Sequence, residues 1–381
     1  MGVAGTALGA TAAVRILVVN AGSSSLKLRV LNPHDDTLAD HHVEDWDGED
    51  VDPVAEILDR AGPVDVVAHR IVHGGRERAG PARVTNELVD GLRELTPLAP
   101  LHQGRSVAGI VAARAAAPDL QQVACFDTAY HTTLPAAAAT YALPEDWRRR
   151  WPLRRYGFHG LSHAYAARRA ADLARHPPAG PDALRVVTCH LGAGASLCAS
   201  RGGRAADTTM GFTPLEGLVM ATRAGTVDPG LVLWLISDAG LSPDDVRYGL
   251  EHRAGLSGLT GTADMRTVLD RRTGGDADAE LAFEVYVHAI ARHVGAMTAA
   301  IGGIDVLVFT AGVGERSPEV RAAVTQRLAY LGVEVGAEAN ASATAGGDLD
   351  ISAAGAPVAT LVVEAREDLE MARQTRTLLV E

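Results

Sequence analysis

Four consecutive apolar residues, Ile16 to Val19, run into Asn-Ala-Gly-Ser-Ser-Ser and re-emerge as an alternation of Leu26, Leu28 and Val30. The apolar run is too short for a helix, and a period of two belongs to a half-buried strand. The pattern therefore predicts strand, tight turn, strand, with Gly22 free to take a positive φ in the turn. The same design returns at Val186 to Cys198, VVTCHLGAGASLC: an arginine before the apolar strand (Arg15, Arg185), a glycine turn (Gly22, Gly192), then a strand led by Ser-Leu (Ser25-Leu26, Ser196-Leu197). The copies stand close to half the chain apart, which predicts a duplicated α/β fold with two glycine turns facing each other across a cleft. Backbone N–H groups and short hydroxyls that converge in such turns suit phosphate oxygens, while a plain hairpin is the alternative for either turn alone.

Between and after these hairpins the pattern alternates strands with helices. An acidic stretch from Asp35 to Asp52 reads as irregular, Pro53 to Ala61 as a short helix, and Val64 to Val72 as a buried strand. Ser106 to Ala117 predicts a helix, the VACF run before Asp127 a strand, and the segment from Ser162 another helix, followed by a Pro/Gly linker at 175–183. Residues 207–230 carry several glycines and little periodicity, which a compact domain tolerates when the segment lines a site. Helices follow from Leu231 and at Ser242 to Leu250, the latter with a serine N-cap and proline at N1. Glu280 to Ile301 predicts a long helix with its apolar face at Leu281, Val285, Ala289 and Val294. Ile304 to Thr310 is a strand feeding a third glycine turn, Ala311 to Glu315, and a helix capped by Ser317 with Gly332 to stop it. A strand, a glycine turn and a helix N-terminus in succession make an anion or ribose site. Val358 to Val363 is the last buried strand, and Glu367 opens the terminal helix.

The chain has 381 residues, ample for two to three domains with a full core. Its formal charge of −12 argues against nucleic acid or an anionic membrane as partner, so any anion site is a local exception. The three cysteines, Cys125, Cys189 and Cys198, form no CxxC pair, which indicates neither a disulfide framework nor a zinc knuckle and fits a reducing cytoplasm. Residues 1–13 read as a disordered extension rather than a signal peptide, and no apolar run reaches the ~18 residues of a membrane span. Lys27 is the only lysine.

Arg70 is a charged residue inside an apolar strand, and such a cation either meets a structural carboxylate or awaits an anionic ligand. Asp127 stands at the C-terminal edge of a strand, where ligands of α/β folds gather, and Arg223 sits in the middle of the long glycine-bearing stretch. His159 and His163 are four apart, a spacing that suits a metal, but no further Cys or His ligand lies nearby. The chain contains no GxxxxGK[ST], GxGxxG or GxSxG, so P-loop, Rossmann and serine-hydrolase chemistry lack their signs.

Taken together the motifs resemble the acetate kinase family of the actin and sugar-kinase superfamily. VVNAGSSSLK, HRIVHGG, LAPLH, FDTAYH, RRYGFHGLSH, CHLGAGAS, DTTMGFTPLEGL, TRAGTVDP, FTAGVGE and REDLEMAR follow that family's blocks in order from Val18 to Arg373. The resemblance implies a duplicated ribonuclease H-like fold with two domains flanking a nucleotide cleft. Domain I would span 14–135 and be completed by the helix 367–381; domain II would span 136–366 and hold the nucleotide site and a homodimer interface.

Position by position, the resemblance implies that Asn20, Ser23, Ser25 and Lys27 surround the transferring phosphate. Arg70 and Arg223 would clamp carboxylate and phosphoryl oxygens. His159 would hydrogen-bond the phosphoryl group in flight, with His102 and His190 near it. Asn20, Asp127 and Glu367 would organise Mg²⁺ or Mn²⁺, and Val72, Leu101, Phe158 and Pro214 would line a pocket for the methyl group of acetate. His190, Leu191, Gly192, Ala193 and Gly194, with Asp264, Met265, Arg266, Gly312, Val313, Gly314 and Glu315, would hold ATP or ADP. The chain departs from the family pattern at Ala193, where asparagine is usual, at Met265, where an aromatic is usual, and at Arg366-Glu367-Asp368 in place of Asn-Glu-Glu. Propionate or butyrate as acceptor, pyrophosphate as donor, and a non-catalytic nucleotide-binding protein are the alternatives.

Overall fold

The computed structural model describes residues 14–22, 25–100, 102–174, 183–344 and 346–380. The readings of residues 1–13, Ser23, Leu101 and most of the 175–183 linker lie outside them. The chain divides into two compact units, one running to Ala129 and resuming at Arg366, the other spanning Tyr130–Ala365.

The first unit is one six-stranded sheet with helices. Its strands are β1 (Ile16–Ala21), β2 (Ser25–Leu31), β3 (Thr37–Glu44), β4 (Val66–Ile71), β5 (Ala82–Arg83) and β6 (Gln121–Phe126), in the order β3-β2-β1-β4-β6-β5. β1 pairs antiparallel with β2 and parallel with β4, which in turn pairs parallel with β6. The expected hairpin is present, and its turn is closed by a hydrogen bond of 2.7 Å from the Gly22 N–H to the Ser25 carbonyl. Helices α1 (Asp52–Ala61), α2 (Asn86–Glu94) and α3 (Gln103–Ala116) complete this part. Leu17, Val19, Leu26, Leu28, Trp46 and Ile57 form the centre of its core.

The stretch expected to be irregular holds β3. It was hidden because this edge strand alternates exposed with half-buried residues and buries none fully, so no apolar run marks it.

The second unit repeats the topology. After α4 (Ala136–Ala139), α5 (Glu145–Arg150) and α6 (Gly160–Leu173) come β7 (Arg185–Leu191), β8 (Ala195–Arg201) and β9 (Arg204–Thr208). Helices α7 (Pro229–Ser237), α8 (Pro243–His252), α9 (Gly255–Thr260), α10 (Met265–Thr273) and α11 (Ala277–Ala300) follow. Then come β10 (Val306–Thr310), α12 (Ala311–Arg316), α13 (Pro318–Arg327), α14 (Ala337–Ser342), β11 (Leu349–Asp350) and β12 (Ala359–Val362). The sheet order β9-β8-β7-β10-β12-β11 matches the first sheet strand for strand, with β7 antiparallel to β8 and parallel to β10. The duplication is therefore a fact of topology: two mixed sheets of ribonuclease H-like order. The terminal helix α15 (Glu367–Val380) returns to the first unit.

Two local expectations are corrected here. On α11 the expected Ala289 and Val294 are buried, but the face also takes in Ala282, Phe283, Tyr286, Val287 and Ile290, while Leu281 is exposed, because a wide face of period 3.6 overrides the narrow row of four-residue steps. The third glycine stretch is no turn: β10 passes straight into α12 at Thr310, and Ala311 takes φ 64° to make the change of direction.

Candidate active site

In the first unit the site is built on strand ends. Asn20 lies near the end of β1, Arg70 near the end of the adjacent β4, Asp127 just past β6, and Glu367 at the start of α15. Arg70 Nη2 donates to Asp127 Oδ2 at 2.7 Å and Nε reaches both Asp127 oxygens at 3.2 Å. Its Nη1 reaches Asn20 Oδ1 at 3.3 Å and Glu367 Oε2 at 3.5 Å, and Asn20 Nδ2 donates to the same Glu367 oxygen at 3.2 Å. Burial works against the guanidinium charge, but Asp127 and Glu367 more than compensate and hold its pKa above the ordinary value. Both readings of Arg70 thus hold a place: it has a structural carboxylate, in a cluster of one cation and two anions.

That imbalance and an all-oxygen donor set of Asn20, Asp127 and Glu367 fit a hard divalent cation that takes its remaining ligands from water and phosphate. Among the described residues no group of three or more His, Cys, Asp or Glu side chains is placed to hold a metal by itself. The pair His159 and His163 is not a metal site, because both nitrogens of buried His163 face hydroxyls, Nδ1 at Thr188 and Nε2 at Ser196.

In the second unit His159 is the N-cap of α6 in a left-handed conformation, φ 53°, which is strained for a residue with a Cβ. Its Nδ1 lies 2.9 Å from Ser196 Oγ on β8, and its ring stacks on His190 of β7 with centroids 4.2 Å apart. His190 Nδ1 is in turn 2.8 Å from Ser162 Oγ. A Cβ placed on Gly194 would come 3.3 Å from the His159 ring and 3.7 Å from Arg223 Nη1, so glycine keeps open a space flanked by both. The Gly192–Gly194 turn closes on its own backbone at 3.0 Å.

Arg223 donates to the Pro214 carbonyl at 3.2 Å, and among the described residues no carboxylate forms an ion pair with it. Burial pulls its pKa below the ordinary value, with the charge of Glu251 offsetting part of the effect. A desolvated cation with no carboxylate against it is suited to an anionic ligand. The loop that carries it is pinned by Arg155, which bonds Glu216 at 2.7 Å and the carbonyls of Thr208, Thr209 and Met210 at 3.2 Å, and by the Tyr141 hydroxyl on Glu216.

The remaining expected residues fall as follows. Lys27 pairs with Asn20 across β1 and β2 and is exposed; Ser25 begins β2; His102 is the N-cap of α3; Val72 is buried beyond β4. Phe158 is buried ahead of α6 and Pro214 half-buried in the long loop. Leu191 is buried at the end of β7 and Ala193 is exposed at the turn. Asp264 caps α10 through the Arg266 N–H at 3.0 Å and pairs with the exposed Arg266 side chain; Met265 between them is buried. Gly312, Val313, Gly314 and Glu315 form α12, where Glu315 accepts the Ala365 N–H at 2.9 Å. Ser162, Thr188, Ser196 and the Arg155–Glu216 pair were missed as site residues. The one signal for any of them was the Ser-Leu step that repeats at the start of both second strands.

A model of the acetokinase family matches residues 51–373. An acetate kinase of Streptomyces griseus is 40% identical over 400 aligned positions, covering 96% of each chain. One from Deinococcus radiodurans is also 40% identical, over 95% of this chain and 98% of its own. Among solved structures, Porphyromonas gingivalis acetate kinase superposes with a TM-score of 0.87 at 35% identity, covering 96% of this chain and 99% of that one. A propionate kinase from Francisella tularensis gives 0.86 at 31% identity over 94% and 98%.

Proposed function

This chain belongs to the acetokinase family and is a kinase, and on that premise we propose that it moves the γ-phosphoryl group of ATP reversibly to the carboxylate of acetate, giving acetyl phosphate and ADP. The observation that carries this reading is the space beside Gly194, flanked by His159 and by Arg223, a half-buried arginine that forms no ion pair with a carboxylate among the described residues.

Acetate, with a pKa of about 4.5, is already ionised at pH 7, so no general base is needed and Asp127 is a positioning group. A carboxylate oxygen bonds to the γ-phosphorus as the bond to the β-phosphate oxygen breaks, and ADP leaves with those electrons. The reaction demands cancellation of charge between an anion and a polyphosphate. Arg223 and Arg70 supply fixed cations for it, and His159 donates to the phosphoryl oxygens. Asn20, Asp127 and Glu367 would hold Mg²⁺ or Mn²⁺, which supplies further charge cancellation on the phosphate chain. Gly192 to Gly194, Asp264 to Arg266 and α12 are assigned to the nucleotide, and Val72, Leu101, Phe158 and Pro214 to the methyl group.

A homodimer is supported by α7, an apolar helix with no buried residue. Three buried, unpaired cysteines support a reducing cytoplasm, and among the described residues no helix is long and apolar enough to cross a membrane.

A coupled assay with acetate and propionate against ATP and pyrophosphate tests the reading. One methylene is worth only about 0.8 kcal/mol of burial, so propionate is expected to turn over as well, more slowly. Absence of ATP-dependent turnover with either acid would overturn the assignment.

A further inference from the structure

We propose that Arg29 is a positioning residue that acts through Asp368: it fixes the first turn of α15 on the β1–β2 hairpin and so sets Glu367 beside Asn20 and Arg70. The inference deepens the proposed function and rests on its reading of Asn20, Asp127 and Glu367 as the cradle of a divalent cation.

Strand register puts Arg29 where it can do this. Asn20 of β1 pairs with Lys27 of β2, and Val18 pairs with Arg29. Side chains two apart on a strand share a face, and so do directly paired residues of neighbouring strands. Arg29 therefore lies on the face that carries Asn20, one step further along the hairpin. α15 meets this face with consecutive residues: the Glu367 carboxylate accepts from Asn20 Nδ2, and Asp368 Oδ2 accepts from Arg29 Nη1 at 2.8 Å. Consecutive helical side chains point about 100° apart, so the two contacts together define how the helix is turned about its axis. A rotation that moves Glu367 also pulls Asp368 off Arg29.

The two contacts are unequal, and the inequality shows which one leads. Glu367 is held by Asn20 at 3.2 Å and by Arg70 Nη1 at 3.5 Å, at or beyond the long end of the hydrogen-bond range. The Arg29–Asp368 bond is shorter and joins two half-buried opposite charges. The far end of α15 has an anchor of its own. Buried Arg376 donates to Asp35 Oδ1 at 2.6 Å and to the Asn32 carbonyl at 2.9 Å, in the turn between β2 and β3. Eight residues of helix, about 12 Å, separate it from Asp368, so it fixes the far end and leaves the first turn to Arg29. Chain continuity gives no help there, because Arg366 is the residue at which the chain re-enters this unit. Arg366 also donates to Asp368, through Nε at 3.0 Å and Nη2 at 2.9 Å, but it stands at the start of the helix and moves with it. Of these two arginines, Arg29 is the one built on the sheet. Both Asp368 oxygens are engaged by guanidinium groups, which makes Asp368 the anchor and leaves Glu367 to face the cradle.

The test needs no turnover. Mn²⁺ binding in the presence of ADP is followed by electron paramagnetic resonance in wild type, Glu367→Gln, Arg29→Gln, Asp368→Asn and the double variant Arg29→Gln with Asp368→Asn. Removing a group that orients a metal ligand costs about ten- to a hundredfold in affinity; for a half-buried pair the lower figure applies, so Arg29→Gln is expected to raise the Mn²⁺ Kd about tenfold. Asp368→Asn is expected to do the same, and the double variant to lose no more than either single one, because the two residues act as one tie. In steady-state kinetics the apparent Mg²⁺ constant of Arg29→Gln should rise with its Mn²⁺ Kd while saturating Mg²⁺ restores most of kcat, a split that loss of folded protein does not produce. Unchanged or tighter Mn²⁺ binding in Arg29→Gln, with Glu367→Gln weakened, overturns the role of Arg29 and leaves the cradle standing. Losses that add in the double variant overturn the path through Asp368. If Glu367→Gln binds Mn²⁺ as wild type does, the cradle itself is misassigned and the proposal falls with it. Should Asp368→Asn fail to fold, Arg29→Gln still decides.

Discussion

Arg70 holds both oxygens of Asp127, through Nη2 at 2.7 Å and Nε at 3.2 Å, at the ends of adjacent strands of the first sheet. In the second sheet the equivalent register position, next to His190, is occupied by Thr310, which has no charge to pair. One copy of the duplicated unit carries an ion pair where the other carries a hydroxyl, and the second unit's arginine, Arg223, stands without a carboxylate partner among the described residues. The two arginines are therefore expected to behave differently when removed.

Arg70→Ala removes the guanidinium that holds both oxygens of the buried Asp127 carboxylate and should cost about 3 to 5 kcal/mol of stability as well as at least ~100-fold in turnover. Arg223→Ala removes a desolvated cation and should lose a similar factor in turnover with an unchanged or raised Tm. Calorimetry and steady-state kinetics on both variants decide it. Equal destabilisation, or near-normal turnover in either folded variant, would show the two roles to be misassigned.

The acid stability of the protein should be set by histidines held neutral. Burial lowers His69, His73 and His131 to about 4, and His163 well below its ordinary value. A group whose folded pKa is depressed binds protons more readily in the unfolded chain. Its contribution is therefore complete above the unfolded value of about 6.5 and is lost as pH falls from there toward 4, at about 1.4 kcal/mol for each tenfold difference in proton affinity between the folded and unfolded chain. Tm should hold through neutral and mildly alkaline pH and fall as the pH drops from about 6.5 toward 4. His69→Gln, which has no proton to take up, should fall less over that window, and an identical fall would remove His69 from the account.

How far the sequence carried depended on how local each signal was. The hairpins and the Ser317-Pro318 helix start were legible because a strand's period and a cap's hydroxyl are written within a few residues, whereas the turns at Gly22 and Gly192 form without the positive φ that glycine allows. β3 was not, since an exposed edge strand needs no apolar run, and α12 was read as a turn because its glycines outweighed the helical register that tertiary packing imposes. Arg70 announced itself as a charge among apolar neighbours. Its partners could not be read from spacing: Asp127 lies 57 positions on and Glu367 is 347 from Asn20. Only the family resemblance brought those residues together. Thr188 had no signal of its own and Ser196 only the repeated Ser-Leu step, because a hydroxyl in a strand looks the same whether it meets a histidine or merely fills space.

The apolar helix α7 bears on assembly. Leu233 and Trp234 are 65% and 54% exposed, and Leu231, Leu241 and Tyr248 nearby in sequence are exposed as well. Apolar area of this kind on one helix and its neighbour marks an interaction surface. The double variant Leu233→Glu with Trp234→Glu should convert a dimer to a monomer by light scattering, without loss of folded helix content. A monomeric wild-type protein would remove α7 as a dimer contact.

Arg321 is fully buried, and each of its five N–H bonds has a separate acceptor oxygen. Nε donates to Asn340 Oδ1, Nη1 to the carbonyls of Gly314 and Glu315, and Nη2 to those of Asn340 and Ala343. The carbonyls belong to the last turns of α12 and α14 and the residue following α14, so one side chain ties both short helices together from α13. Burial lowers its pKa to about 10, with Glu319 offsetting part of that, a charge the protein tolerates for its geometry. Lysine has three donors on a flexible stem and cannot reproduce a planar fork of five. Arg321→Lys should therefore leave buried carbonyls unsatisfied, each costing about 1 to 3 kcal/mol, and loosen α12 against β10. Because α12 is assigned to the nucleotide, the ATP KM should rise several-fold while the acetate KM stays near wild type. Steady-state kinetics with each substrate varied in turn give the answer: a change in the acetate KM alone would mean that α12 serves the acceptor instead.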